Sequence, residues 1–300
     1  MTAPAPPAPT RPAPARPAPP RSRSGLDRLC AGLDAVATAG GSVALWWRDD
    51  DLERPTPALA ALLDALGEHG IAPALAAVGG RLVPEAVTAL AGGPARLLVH
   101  GWLHADHSAP GSKKSELGPE RPAEVRLAEV AEARRRLAAL AGERALPCLV
   151  PPWNRIGDDL LARLPETGVT ALSAFAAPGR IPPPAAVPRL DTHVDLIDWR
   201  GGRAPLSGEA AALALAAGVG IRAPAAAEQT ATAGHHETRV DGPIGILSHH
   251  LVTDAAAWRA WRPLLAALAA HPAVRWLDPA AALAAVGGVP AVGTATRRTG

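Results

Sequence analysis

Ser42-Val43-Ala44-Leu45-Trp46-Trp47-Arg48-Asp49-Asp50-Asp51 is an apolar run that ends on three adjacent carboxylates. The apolar residues, introduced by Gly40-Gly41 and rich in aromatic and β-branched types, read as a buried strand over 43–47. Adjacent carboxylates repel one another, and such a cluster is tolerated where a cation, a proton or an arginine offsets the repulsion. A strand end is also where α/β folds carry their chemistry. The stretch therefore predicts a strand that surfaces at a charged site, with a metal as the first expectation.

About fifty residues on, Ala95-Arg96-Leu97-Leu98-Val99 reads as another short buried strand, running into His100-Gly101-Trp102-Leu103-His104-Ala105-Asp106-His107. His100 and His104 are four apart, and a helical turn there would set both imidazoles on one face, as a divalent metal in a nitrogen and oxygen site requires.

Working outward, a helix is expected from Leu26 to Ala37. A second starts at Thr56-Pro57 and carries the stripe Leu59, Leu62, Leu63 and Leu66. Further strands are expected at 71–78, 148–150, 169–172, 195–197, 245–248 and 274–276, with helices at 84–90, 122–140 and 254–269. Residues 108–119 read as a mobile loop. This β-then-α rhythm indicates a parallel sheet with crossover helices, and seven or eight units in one domain suggest a barrel. The polar clusters fall at the carboxyl ends of the strands: 49–51, 100–107, 151–155, Asp198-Trp199 and His249-His250. In a barrel those ends meet at one mouth.

A chain of 300 residues can bury a substantial core. Its formal net charge of +2 gives no nucleic-acid footprint. Two cysteines, Cys30 and Cys148, lie in no ligand spacing and suit a reducing compartment. No stretch reaches the apolar length of a membrane span, and residues 1–24, rich in proline, alanine and arginine, lack the apolar core of a signal peptide. The expectation is a disordered tail over 1–24, one barrel domain over 25–288, a flexible tail over 289–300 and a cytoplasmic location, with the oligomeric state open.

In their order and spacing these motifs resemble the polysaccharide deacetylase family, the NodB-homology or carbohydrate esterase 4 type. Arg48-Asp49-Asp50-Asp51 looks like its first motif, an aromatic followed by Asp-Asp-Gly, and His100-Gly101-Trp102-Leu103-His104 is similar to its His-Ser/Thr-x-x-His. Val150-Pro151-Pro152-Trp153-Asn154 approximates Arg-Pro-Pro-Tyr-Gly. Asp195-Leu196-Ile197-Asp198-Trp199 and Ile246-Leu247-Ser248-His249-His250 resemble the last two. Three positions depart from the pattern: Val150 for an arginine that orients the base carboxylate, Asp51 for a glycine and His250 for an aspartate. Arg48 and Arg155 are the candidates for the missing cation.

The resemblance implies a distorted (β/α)7-8 barrel and a hydrolase that removes an N-acetyl group from a sugar or glycan-type substrate. It assigns one divalent metal, zinc by default with cobalt, nickel, manganese or iron admissible, to Asp50, His100 and His104. It makes Asp49 the general base and His249 the general acid, with Asp198 as the partner of His249 and Asp195 as the fallback. A backbone N–H near Trp153 is expected to hold the oxyanion, and Trp102, Trp153 and Trp199 to wall the substrate. His107 is expected in a supporting or exposed position, His235-His236 on the surface. No phosphate loop, serine elbow or dinucleotide fingerprint competes. Two other readings are a catalytically silent carbohydrate-binding or regulatory barrel and a metal-dependent hydrolase of another amide or ester.

Overall fold

The computed structural model describes residues 24–176, 183–220 and 242–287. The tails expected at the two ends, apart from Ser24, and the His235-His236 loop lie outside the described residues. Ten strands run in chain order: β1 (Val43–Leu52), β2 (Pro73–Ala77), β3 (Arg96–Val99), β4 (Ala145–Leu149), β5 (Ala171–Leu172), β6 (Val194–Asp195), β7 (Ile197–Asp198), β8 (Ala204–Pro205), β9 (Ile244–Ser248) and β10 (Val274–Trp276). The helices are α1 (Gly25–Thr38), α2 (Pro57–Gly67), α3 (Pro84–Ala89), α4 (Ala123–Ala141), α5 (Asp158–Leu161), α6 (Gly208–Gly220), α7 (Ala255–Ala270) and α8 (Pro279–Ala285).

The main sheet is parallel and ordered β5-β4-β3-β2-β1-β9-β6, with β10 against the start of β1. Parallel bridges from Leu172 to Arg189 and from Phe175 to Thr192 bring the segment before β6 onto β5, so the sheet curls toward closure as a distorted (β/α) barrel. Consecutive residues of each strand divide between two apolar clusters, as a strand buried on both faces requires. Trp46, Ala74, Ala76, Leu98, Cys148, Val150 and Ala171 fill the inner cluster, joined by Ala282 and Leu283 of α8. Leu45, Trp47, Leu75, Ala77, Leu97, Val99 and Leu149 join the outer cluster under the helices.

The helix start expected at Thr56-Pro57 is present, with Thr56 accepting from Leu59 N ahead of Pro57; Asp254 caps α7 in the same way by accepting from Ala257 N. Helices α5, α6 and α8 and the hairpin β7-β8 were not anticipated. α6 is alanine-rich on every side, so it shows no stripe to read. The strand expected over 195–197 breaks because the Asp195 carboxylate accepts from Ile197 N, and the chain leaves as the antiparallel hairpin β7-β8. The loop after His107 also differs from expectation: Glu116 and Leu117 are buried, and Leu117 bridges to Ile156. Among the described residues no helix is long and apolar enough to cross a membrane, and both cysteines are unpaired.

Candidate metal and hydrolytic site

The site is built at the carboxyl ends of β1, β3, β4, β5 and β9. Along β1, Asp49 is still in register with Leu75 of β2 and Ser248 of β9, but the next pairing on β2 is Leu52 with Ala77, so β1 carries one extra residue. Such a bulge re-aims a side chain. Here Asp51, with a left-handed φ of 75°, is turned so that its Oδ1 stands 3.2 Å from His100 Nε2 and 3.3 Å from His104 Nε2. Asp51, His100 and His104 are the metal-ligating types that converge, with one donor atom from each inside a common 4.8 Å. The carboxylate beside the imidazoles is therefore Asp51 and not the expected Asp50, because alternation along a regular strand does not survive the bulge.

The two histidines do not share a helix face either. The chain after β3 is a loop, with positive φ at Gly101 (61°) and His104 (53°). A Cβ on Gly101 would stand 2.0 Å from Glu116 Oε2, so glycine is required. The buried Glu116 carboxylate accepts from Trp102 N and Leu103 N and so fastens this loop.

His100 Nδ1 lies 2.9 Å from the Val150 carbonyl. A carbonyl only accepts, so Nδ1 carries a proton; burial works against the charged ring, but the hydrogen bond to Asp51 and the charges of Asp50 and Asp51 raise His100, so that Nε2 donates to Asp51, and loss of that proton frees the Nε2 lone pair for a cation. Burial works against ionisation of Asp51, yet the His100 hydrogen bond and the charges of His100, His249 and His104 hold its carboxyl well below the usual carboxylate range. Burial and the neighbouring His100 push His104 down, toward the neutral form. An ionised carboxylate and imidazole nitrogens aimed at one point fit a divalent cation.

Asp50 instead points into the barrel interior. Its Oδ2 accepts from Arg48 Nη2 at 3.0 Å, and Arg48 Nε stands 2.9 Å from Oδ1. The fully buried guanidinium also donates to Ser173 Oγ (2.8 Å) and Asn154 Oδ1 (3.0 Å). Of the two candidate cations, Arg48 is the one that meets this carboxylate. Arg155 Nη1 donates to the Lys114 carbonyl. His249 Nε2 lies 3.9 Å from Asp50 Oδ2, and its buried Nδ1 has no partner among the described residues.

Asp49, the expected base, faces the opposite way. It is fully buried on the helix side of β1, where Oδ1 lies 2.5 Å from His250 Nδ1 and Oδ2 accepts from Ser248 Oγ at 2.5 Å. Ser248 Oγ in turn accepts from Trp47 Nε1 at 2.9 Å.

In comparisons with solved structures the chain is similar to a protein assigned as a polysaccharide deacetylase from Mycobacterium smegmatis, at a TM-score of 0.52 and 16% identity over 80% of this chain and 87% of that one. It is also similar to a pseudoenzyme of carbohydrate esterase family 4 from Bacillus anthracis, at a TM-score of 0.51 and 9% identity over 81% of this chain and 66% of that one. The fold is that of the polysaccharide deacetylases. No family model matches the sequence, and no curated protein does.

Within this deacetylase fold the expected acid partner also moves. Asp198 is exposed and its carboxylate accepts from Arg200 N and Gly201 N, which makes it a turn residue. Asp195 is the half-buried carboxylate that feels the charge of His249, and desolvation raises it above the usual range. It accepts from Ile197 N and from Trp199 Nε1 (2.8 Å). Trp199, 42% exposed, meets His249 edge-on with ring centroids 4.8 Å apart. Trp153, in a left-handed conformation, packs its ring 4.2 Å from His104 with Lys114 Nζ 5.8 Å from its centroid. Trp102 packs on the outer core cluster. His107 is exposed. Glu116 and Ser173 stand in the polar framework of this site without a sequence signal: a glutamate in a polar loop and a lone serine announce nothing.

Proposed function

We propose that the chain is a metal-dependent hydrolase that removes an acetyl group from nitrogen on a sugar or glycan-type substrate. The observation that carries this reading is one mouth holding three things at once: the Asp51-His100-His104 donor set, the arginine-held Asp50 and His249. A binding module has no use for all three. The ion, zinc by default with cobalt, nickel, manganese or iron admissible, would be held by those three donors and would supply polarisation of the acyl oxygen and a more acidic attacking water.

Asp50 is the base in this reading. Arg48 holds and orients its carboxylate, which takes the proton of the attacking water. His249 gives a proton to the departing nitrogen, with Asp195 as the nearby carboxylate. At the turn after β4, the amides of Asn154 and Arg155 are committed to Pro151 and Pro152 carbonyls, which leaves that of Trp153 for the oxyanion. Trp153 and Trp199 flank the mouth as apolar walls for a sugar ring or the acetyl methyl. A cytoplasmic setting belongs to the same reading, supported by two unpaired cysteines.

The test is elemental analysis with acetate release on N-acetylated sugars and oligosaccharides. About one divalent ion per chain, absent from Asp51→Ala and retained by Asp50→Ala, together with acetate release by the wild type alone, is the expected result. Metal retained by Asp51→Ala and lost from Asp50→Ala would overturn the donor assignment. A metal-loaded wild type that releases no acetate would favour the silent barrel.

A further inference from the structure

The residues that define the site come in runs of like neighbours: Trp46-Trp47, Asp49-Asp50-Asp51 and His249-His250. In a strand buried on both faces, hydrophobic alternation specifies register weakly, and a one-residue slip moves every side chain to the other face. Slipped by one, β1 and the turn after β9 would still put a tryptophan, an aspartate and a histidine on each face. Apolar burial alone does not decide which aspartate enters the barrel.

Two features of the structure do. Inside, Trp46 is paired with Gly245 of β9, and a Cβ there would stand 2.6 Å from Trp46 Nε1 and 2.7 Å from Thr192 Cα, so the inner indole fits only opposite glycine. Outside, Asp49 is gripped from the β9 side by Ser248 Oγ and His250 Nδ1, and Ser248 by Trp47 Nε1. His250 also interacts with the main chain of Asp50. All three members of this network are buried, and none belongs to the proposed chemistry. Asp49 is also the last residue of β1 in register with both neighbours before the bulge.

We infer that the buried Asp49-Ser248-His250 network is a register lock: by pinning Asp49 to the helix side of the sheet, it commits Asp50 to the barrel interior and Asp51 to the two imidazoles. These are positioning residues that act through the backbone of β1. Replacing a buried charged pair by apolar residues often leaves stability unchanged or higher, whereas specifying a register is a use for which such groups are well attested. What the register does for hydrolysis rests on the function proposed above, while the register itself does not.

The test compares wild type, Asp49→Leu/His250→Leu and His250→Gln as full-length, metal-free proteins with 15N-labelled tryptophan. Trp46 and Trp47 Nε1–H resonances, assigned with Trp→Phe variants, report the two faces of β1. The wild type gives one resonance for each. The double leucine variant gives two sets, or sharp peaks broadened by exchange, and its cobalt affinity falls at least tenfold. His250→Gln, which still donates to Asp49, keeps single peaks. Should the double variant not fold, Ser248→Ala, which loses one bond to Asp49 and the partner of Trp47, is read by the same peaks. Single, wild-type-like peaks in a folded variant without the lock overturn the inference, whether or not the protein binds metal or hydrolyses anything. Conversely, split peaks in a protein that releases no acetate keep the lock and remove the hydrolase reading.

Discussion

β1 carries two buried carboxylates on adjacent residues, and the strand treats them in opposite ways. Asp50, on the inner face, meets a guanidinium and, 3.9 Å away, a histidine with a partnerless ring nitrogen. Asp49, on the outer face, is saturated by a serine hydroxyl and an imidazole at 2.5 Å each. The inner environment leaves the Asp50 carboxylate open toward His249, and the outer one fills both oxygens of Asp49. In the proposed mechanism chemistry and fixation are thus divided between neighbours by the pleat of a single strand.

The sharpest way to break that division is to neutralise each carboxylate in turn. Asp50→Asn should lower acetate release by about 10³-fold, within the range for loss of a general base. Asp49→Asn, which keeps an acceptor oxygen for His250 and turns its amide NH2 to the Ser248 hydroxyl, should stay within about tenfold of wild type. Initial rates on metal-loaded proteins decide it, and the reverse order would return the base to Asp49.

Arg48 provides the next test, because the inner carboxylate depends on it. Arg48→Met leaves Asp50 buried and unpaired, a loss on the order of 3–5 kcal/mol of stability. The Arg48 guanidinium already reaches Ser173 and Asn154 beside β4 and β5, and Val150 lines the same interior. A guanidinium arriving from position 150 can therefore occupy the same place. Urea unfolding should show Arg48→Met/Val150→Arg more stable than Arg48→Met, with acetate release recovering in parallel. Failure of the double variant to recover either property would mean that the strand of origin matters and that Arg48 is more than a counter-charge.

The same comparison explains what the sequence could and could not disclose. The barrel was legible because apolar runs and capped helices alternate from Val43 to Trp276, and the site was legible because its polar clusters end those runs. Which of three aspartates goes where was not, since like residues run consecutively and the bulge after Asp49 breaks the period of two. The family resemblance implied Asp49 as base and Asp50 as ligand; in the bulged strand it is Asp50 that meets Arg48 and Asp51 that stands beside the two imidazoles. Asp198 misled for a related reason: the break at Asp195 turned the expected strand into a hairpin, leaving Asp198 to cap a turn and Asp195 to face the site. Glu116 was illegible because its value lies in two backbone amides brought to it by the fold.

The smallest effect expected is a split in the pH dependence of stability of the metal-free protein. Burial alone would depress His250, but the bond to Asp49, the charges of Asp49 and Asp51 and the main chain of Asp50 outweigh it, so its ring is raised above the usual 6.5. A group raised in the folded state contributes fully below its unfolded value and loses that contribution as pH rises through the folded one. The outer pair therefore weakens on the alkaline side of 6.5. Asp51 is held below its usual 3.8, so its contribution is present above that value and disappears as pH falls through the lowered one. Urea midpoints in chelator across the pH range should show His250→Gln flattening only the alkaline limb, whereas Asp51→Asn removes the acid limb and also weakens the alkaline one, because the Asp51 charge helps to raise both His250 and His100. A change in the acid limb from His250→Gln would mean that the outer pair also sets the Asp51 carboxyl, and the separation of fixing and reacting carboxylates would not hold.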